Sequence, residues 1–266
     1  GVAPARPMIE FDPASFKDPA GRVFHHQGWV CRTLTSRAQR DFQAASDSGL
    51  IAALTADRLL VPTDLVPASA LGLSTTDVGA FVLKQHAIPI VSYPYEWSFE
   101  MLRDAALVTL RVIDRALEAG FILKDATSFN ILFDGHVPKL IDTPSIEPFS
   151  DGDLWAGYGQ FCRCFLFPLL AASYRGLDLQ AVLRGAFGEL PAQEASRLFG
   201  VRDYAKPGVF KDVVIQARLE RGFARAGASI KSAASGHRYP KPLLVANVRA
   251  LMKIIAGLRT PRPAGV

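Results

Sequence analysis

Cysteine and histidine are both scarce in this 266-residue chain, and the way they are placed excludes whole classes of chemistry. The three cysteines are Cys31, Cys162 and Cys164. A C-x-C pair does not complete a tetrahedral zinc site without partners that the sequence does not supply, so buried free thiols are the expected state. The five histidines, His25, His26, His86, His136 and His237, offer no pair at i, i+4 on a helical pattern, which excludes a zinc-hydrolase helix. Long apolar stretches are missing too. No run of 18 uncharged apolar residues exists, and "GVAPARPMIEFDP" lacks the apolar core of a signal peptide. The expectation is a cytoplasmic protein with no membrane partner. What is present is ample apolar content, 49%, enough to bury a sizeable core as one two-lobed domain or two small ones.

Charge is uneven along the chain. Residues 197–266 carry 14 Lys plus Arg against 3 Asp plus Glu, a net +11, whereas residues 1–196 carry 16 against 22, a net −6. Such a split suits helices facing an anionic partner (nucleic acid, a phosphorylated substrate or an acidic neighbouring domain) as well as a solvated basic face.

After a Pro-punctuated arm, "GRVFHHQGWVCRTLT" reads as a β-hairpin of Val23-Phe24 and Trp29 to Leu34, turned at Gly28. A helical pattern follows with Ser36 as its cap, divisible at Gly49, and residues 64–80 read as loop. "FVLKQHAIPIVSYPYEW" reads as two strands interrupted by Pro89 and closed by Pro94. The clearest helix opens at Ser98, where Phe99, Leu102, Ala106, Leu110, Ile113 and Leu117 recur at i+3 and i+4 until Gly120 stops it. Short strands Ile131 to Phe133 and Lys139 to Ile141 then flank Asp134-Gly135, a favoured hairpin turn pair. From "DLWAGYGQFCRCFLF" onward the pattern is helical, and no internal repeat is present.

The stretch "FILKDATSFNILFDGHVPKLIDTP", residues 121–144, places oxygen donors around that hairpin. Asn130 precedes one strand and Asp142 follows the other, so the hairpin sets an amide carbonyl and a carboxylate side by side at one mouth. Hard divalent cations take such oxygen ligands and leave positions for phosphate oxygens. Asp125, on the preceding turn, is suited to accept a proton from an attacking hydroxyl. Singly, Asp125 reads more simply as capping a turn and Asn130 as satisfying loop backbone; the three donors taken together point to the site.

"LKDATSFN" resembles the protein-kinase catalytic loop H-R-D-x-x-x-x-N in its Asp-to-Asn distance, and "LIDTP" stands where the D-F-G Asp would. The resemblance is to the protein-kinase-like fold shared with aminoglycoside and choline phosphotransferases. It implies an α+β, two-lobed protein-kinase-like fold: an arm and small strand-rich N-lobe over 1–97, and a larger helical C-lobe over 98–266 with the catalytic hairpin at 121–144. It further implies Asp125 as catalytic base, Asn130 and Asp142 as ligands of Mg²⁺ or Mn²⁺, and ATP as the phosphoryl donor to an unknown acceptor. More closely, "SYPYEWSF", "LKDATSFNILF" and "IDTPSIEPF" resemble the kinase-like segment that precedes an S-adenosylmethionine-dependent methyltransferase domain in bacterial proteins. A methyltransferase domain or protein is therefore the first partner expected, and nucleic acid the second.

The departures are specific. Leu123 and Lys124 replace the HRD His and Arg, Thr143-Pro144 replace the D-F-G Phe-Gly, and no G-x-G-x-x-G occurs. Only Gly28 in "HHQG" is left for backbone approach to phosphates. Arg32 in "VCRTL" is the nearest cation to the usual strand lysine, Lys84 in "FVLKQH" the runner-up, and Asp41 the acidic partner on the following helix. Tyr95 of "SYPYEW" is the adenine-lining candidate, against a structural role in an aromatic hinge. Two functions follow: an ATP- and metal-dependent phosphotransferase, or a pseudokinase module that docks or positions a methyltransferase.

Overall fold

The structure is a computed structural model that describes residues 9–15, 20–185, 187–225 and 239–260. Strands β1 (Val23–His26) and β2 (Trp29–Thr33) form the expected hairpin. Its two turn residues, Gln27 and Gly28, both have positive φ (49° and 81°), the conformation whose twist matches the flanking strands. Helix α1 (Ser36–Asp47) is capped by Thr35 rather than Ser36: the Thr35 hydroxyl accepts the Ala38 N–H at 3.3 Å. Gly49, at φ 80°, divides it from α2 (Leu50–Ala56).

The segment 64–80, expected as loop, contains strand β3 (Thr63–Pro67) and a short helix α3 (Thr75–Val78). β3 lies at the sheet edge, in the order β1-β2-β4-β3, where Pro67 withholds no needed N–H and Asp64 meets solvent. Strand β4 (Phe81–His86) pairs antiparallel with both β2 and β3. The second strand expected before Trp97 does not form. Pro94 instead opens a 3₁₀ turn (Pro94–Glu96), and the Glu96 carboxylate takes the Tyr93 N–H at 2.7 Å.

Helix α4 (Phe99–Glu118) is the centre of the core. The Ser98 hydroxyl accepts the Met101 N–H at 3.2 Å, and Leu102, Ala106, Leu110, Ile113 and Leu117 are all fully buried. Strand β5 (Phe121–Leu123) pairs with β8 (Ile146–Pro148), and β6 (Ile131–Asp134) with β7 (Val137–Leu140). The second hairpin strand thus begins two residues earlier than its sequence pattern suggests, because the loop is only Gly135-His136, with Gly135 at φ 64°. Residues 59–61 add to the free edge of β7 through Val61 N–H to Leu140 O (3.0 Å) and Leu140 N–H to Leu59 O (2.9 Å).

The remaining chain is helical but not continuously α. Helix α5 (Tyr158–Phe161) runs through a π-helical turn (Cys162–Leu166) into α6 (Phe167–Arg175), followed by α7 (Leu179–Gly185) and α8 (Ala192–Arg197). A second π-helical stretch (Val209–Ile215) leads into α9 (Gln216–Arg225), and α10 (Lys241–Gly257) packs along α4. The architecture is mixed α and β, with the four-stranded sheet ahead of α4 and most helices behind it.

The sheet has two apolar faces. One carries Phe24, Cys31 and Val82 onto a small cluster with Ala68, Leu73 and Val78. The other sends Leu83 into the main core, which contains residues of α1, α2, α4, both short strand pairs and the later helices. All three cysteines are free and buried. Among the described residues no helix is long and apolar enough to cross a membrane.

Candidate functional site

Strand alternation decides which side chains of the sheet reach the 131–142 hairpin. Successive residues of a strand point to opposite faces, so the pairs Arg32–Leu83 and Val30–Gln85 share the face turned to the main core. Gln85 ties that face to the hairpin's end: its Nε2 donates to the Ile141 carbonyl at 2.9 Å and lies 2.8 Å from the Thr143 hydroxyl. Arg32, one step along the same face, reaches Asp142 between those two residues. Its Nη1 stands 2.5 Å from Asp142 Oδ1, in a pair with side chains only 13% and 19% exposed.

Asp142 is held on both oxygens. Asn130 Nδ2 donates to Oδ2 at 3.3 Å, and the Asn130 carbonyl takes the Ile141 N–H at 2.9 Å, so the two residues sit together where β6 begins and β7 has ended. The Asp142 carbonyl accepts the Ser145 hydroxyl at 2.6 Å and opens the 3₁₀ turn Thr143–Ser145. Ser145 O in turn accepts the Lys124 N–H at 2.9 Å, which joins this turn to the loop bearing Asp125. Asp125 is exposed on that loop, between β5 and the 3₁₀ turn Ser128–Asn130, which Thr127 caps.

Arg32 and Asn130 therefore both contact Asp142, one on each carboxylate oxygen. Lys84 is not brought to them: it pairs with Cys31 on the opposite face, and its ammonium lies 3.8 Å above the Trp29 ring centroid. Asp41 pairs with Arg37 at 3.6 Å. Gly28 sits at the turn end of the hairpin, four residues before Arg32. A Cβ there would meet no protein atom within 4 Å, and the positive φ favours glycine. Tyr95, half-buried between β4 and α4, stacks on Tyr93 with ring centroids 5.5 Å apart. Gln85 and Thr143 were not among the residues expected here. The two-residue step from Leu83 to Gln85 was the available signal for the first.

The donor set fits a hard cation. One carboxylate and one amide are too few to enclose an ion, and among the described residues no group of three or more His, Cys, Asp or Glu comes together. Such a pair matches the partial shell that Mg²⁺ accepts when phosphate oxygens and water complete it. It also requires Arg32 to give up Asp142 Oδ1, and the Asn130 amide to withdraw Nδ2 from Oδ2 and turn its carbonyl oxygen to the ion.

No protein-family profile matches the sequence. The nodulation protein NoeA of Rhizobium meliloti (strain 1021) is 34% identical over 245 residues, which is 92% of this chain; the chain spans about half, 51%, of that protein. The crystal structure of the Mycobacterium tuberculosis PknI kinase domain aligns over 90% of this chain and 91% of that one at 14% identity, with a TM-score of 0.35, below the level from which a shared fold follows.

Proposed function

We propose that the chain is a two-lobed, kinase-like phosphotransferase of the cytoplasm that moves a phosphoryl group from ATP to a hydroxyl-bearing acceptor. The observation that supports this reading is the contact of Arg32 and Asn130 with Asp142 at the mouth of the β6–β7 hairpin, with Asp125 on the loop tied to the same turn. When bound, MgATP or MnATP supplies the transferable phosphoryl group and a cation that offsets its charge. Asn130 and Asp142 would hold the cation. Arg32, released from Asp142, would turn its guanidinium to phosphate oxygens, which it matches as a planar fork. Asp125, exposed to an incoming acceptor, would take the hydroxyl proton.

The second reading is a pseudokinase module that positions a methyltransferase domain, and the Arg32–Asp142 pair favours it. A carboxylate already neutralised by a guanidinium is a poorer metal ligand until the pair opens. Calorimetry with ATP and Mn²⁺ separates the two readings. Asp142→Asn is expected to abolish metal-dependent nucleotide binding, and Asp125→Asn to bind within about twofold of the parent while transfer is lost. Equal binding by all three proteins would remove Asp142 from the ligand set. A parent chain that binds no nucleotide would leave the docking reading in its place.

A further inference from the structure

We infer that Gln160 is a positioning residue, which together with Trp155 and Gly157 fixes the loop that carries Asp125. The inference rests on the phosphotransferase reading for what Asp125 does, and on geometry alone for how the loop is held. Residues 124–127 lie outside any strand or helix, so no regular backbone ladder sets the path of the chain that carries Asp125. Here the backbone on both sides of Asp125 is gripped from 30 or more residues downstream. The buried indole N–H of Trp155 donates to the Leu123 carbonyl at 2.9 Å. Gln160 Oε1, from α5, accepts the Ala126 N–H at 2.8 Å.

Gly157 shows how close this grip is. Its φ of −76° is open to any residue, so backbone freedom does not explain the glycine. Space does. A Cβ at 157 would stand 2.7 Å from Trp155 Nε1, 2.9 Å from the Lys124 carbonyl oxygen and 3.2 Å from Ala126 Cβ. The start of α5 therefore lies directly on the loop, and "WAGYGQ" (155–160) reads as three contacts on one short stretch of backbone. Ala126 itself is buried, so without Gln160 its N–H has lost its acceptor and water does not readily replace it. The loop then moves to find one, and Asp125 moves with it. A displacement of about 1 Å at a reacting group costs about 100-fold in rate.

The test compares Gln160→Leu, which removes the acceptor, with Gln160→Glu, which keeps one, and with Gly157→Ala, which crowds the loop. Amide exchange across residues 123–127 and steady-state ATP turnover with Mn²⁺ are measured on each. Expected for Gln160→Leu and Gly157→Ala are faster exchange at Ala126 and a kcat lowered about 10- to 100-fold, with the KM for ATP within about twofold. Gln160→Glu should follow the parent in both readouts. Unchanged exchange at Ala126 in Gln160→Leu overturns the inference, and so does faster exchange with kcat intact. If the parent turns over no ATP, the phosphotransferase reading fails on its own, and the exchange comparison between Leu and Glu variants still decides whether Gln160 holds the loop.

Discussion

At the scale of single residues, burial and charge are matched unevenly. The Arg32–Asp142 pair is nearly enclosed, so the cost of leaving water is offset by mutual attraction and by the Asn130 amide on the second carboxylate oxygen. Among the described residues no cation forms an ion pair with Asp212, and Lys211 acts on it only at a distance. Asp212 is 1% exposed, takes the Tyr158 hydroxyl at 2.6 Å, and has Cys162 and Lys211 in its surroundings. Burial holds its carboxyl above the ordinary range against the lowering effects of Tyr158 and Lys211. The same burial pushes the Tyr158 phenol and the Cys162 thiol up, and the Cys164 thiol to about 11. A carboxyl raised on folding keeps its proton in the native chain after the unfolded chain has released it near pH ~3.9. Its contribution to stability is then fullest below that pH and declines as pH rises toward the folded value. Asp212→Asn lacks this slope. The melting temperature of Asp212→Asn minus that of the parent should therefore become more positive between pH 4 and pH 7, and a difference flat across that range would contradict the assignment.

At the scale of elements, what the sequence reveals depends on how many times a pattern repeats. Helix α4 was readable because its apolar positions recur over 20 residues between Ser98 and Gly120. The β6–β7 hairpin was readable from its turn residues, though the two-residue loop Gly135-His136 starts the second strand at Val137, two residues before the Lys139 expected. The pair β5–β8 was not, because three-residue strands hold too few alternations to separate them from loop. β3 was hidden by Asp64 and Pro67, residues that only an edge position accepts. The stability of α4 should come mainly from its buried face. Leu110→Ala is expected to cost about 2–5 kcal/mol in urea unfolding, against about 1 kcal/mol for loss of the cap in Ser98→Ala. Equal costs would mean that α4 is not the centre of the core.

At the scale of the whole molecule, one arginine of the basic C-terminal stretch meets two carboxylates within its own chain. Arg249 of α10 reaches Asp114 at 2.9 Å and Glu118 at 3.2 Å on α4, while Val248, Leu251 and Ile255 are buried beneath. Arg249 and Glu118 are about half exposed, so solvent screens the pair. Arg249→Ala should cost less than about 1 kcal/mol and less still at 1 M salt, whereas Leu251→Ala should cost about 2–5 kcal/mol at any salt. A larger effect from Arg249 would make charge rather than burial the force that docks α10. The charge split, the long central helix and the order of Asp125, Asn130 and Asp142 around a hairpin were determined by the sequence alone, because each rests on composition or on spacing between near neighbours. Only the tertiary structure decided that Arg32 rather than Lys84 meets Asp142, since one residue of strand register sends adjacent side chains to opposite faces. It alone set Gln160 against the Ala126 amide and Arg249 on α4, because contacts across 34 and 135 residues of chain depend on how the helices pack and leave no mark in local periodicity.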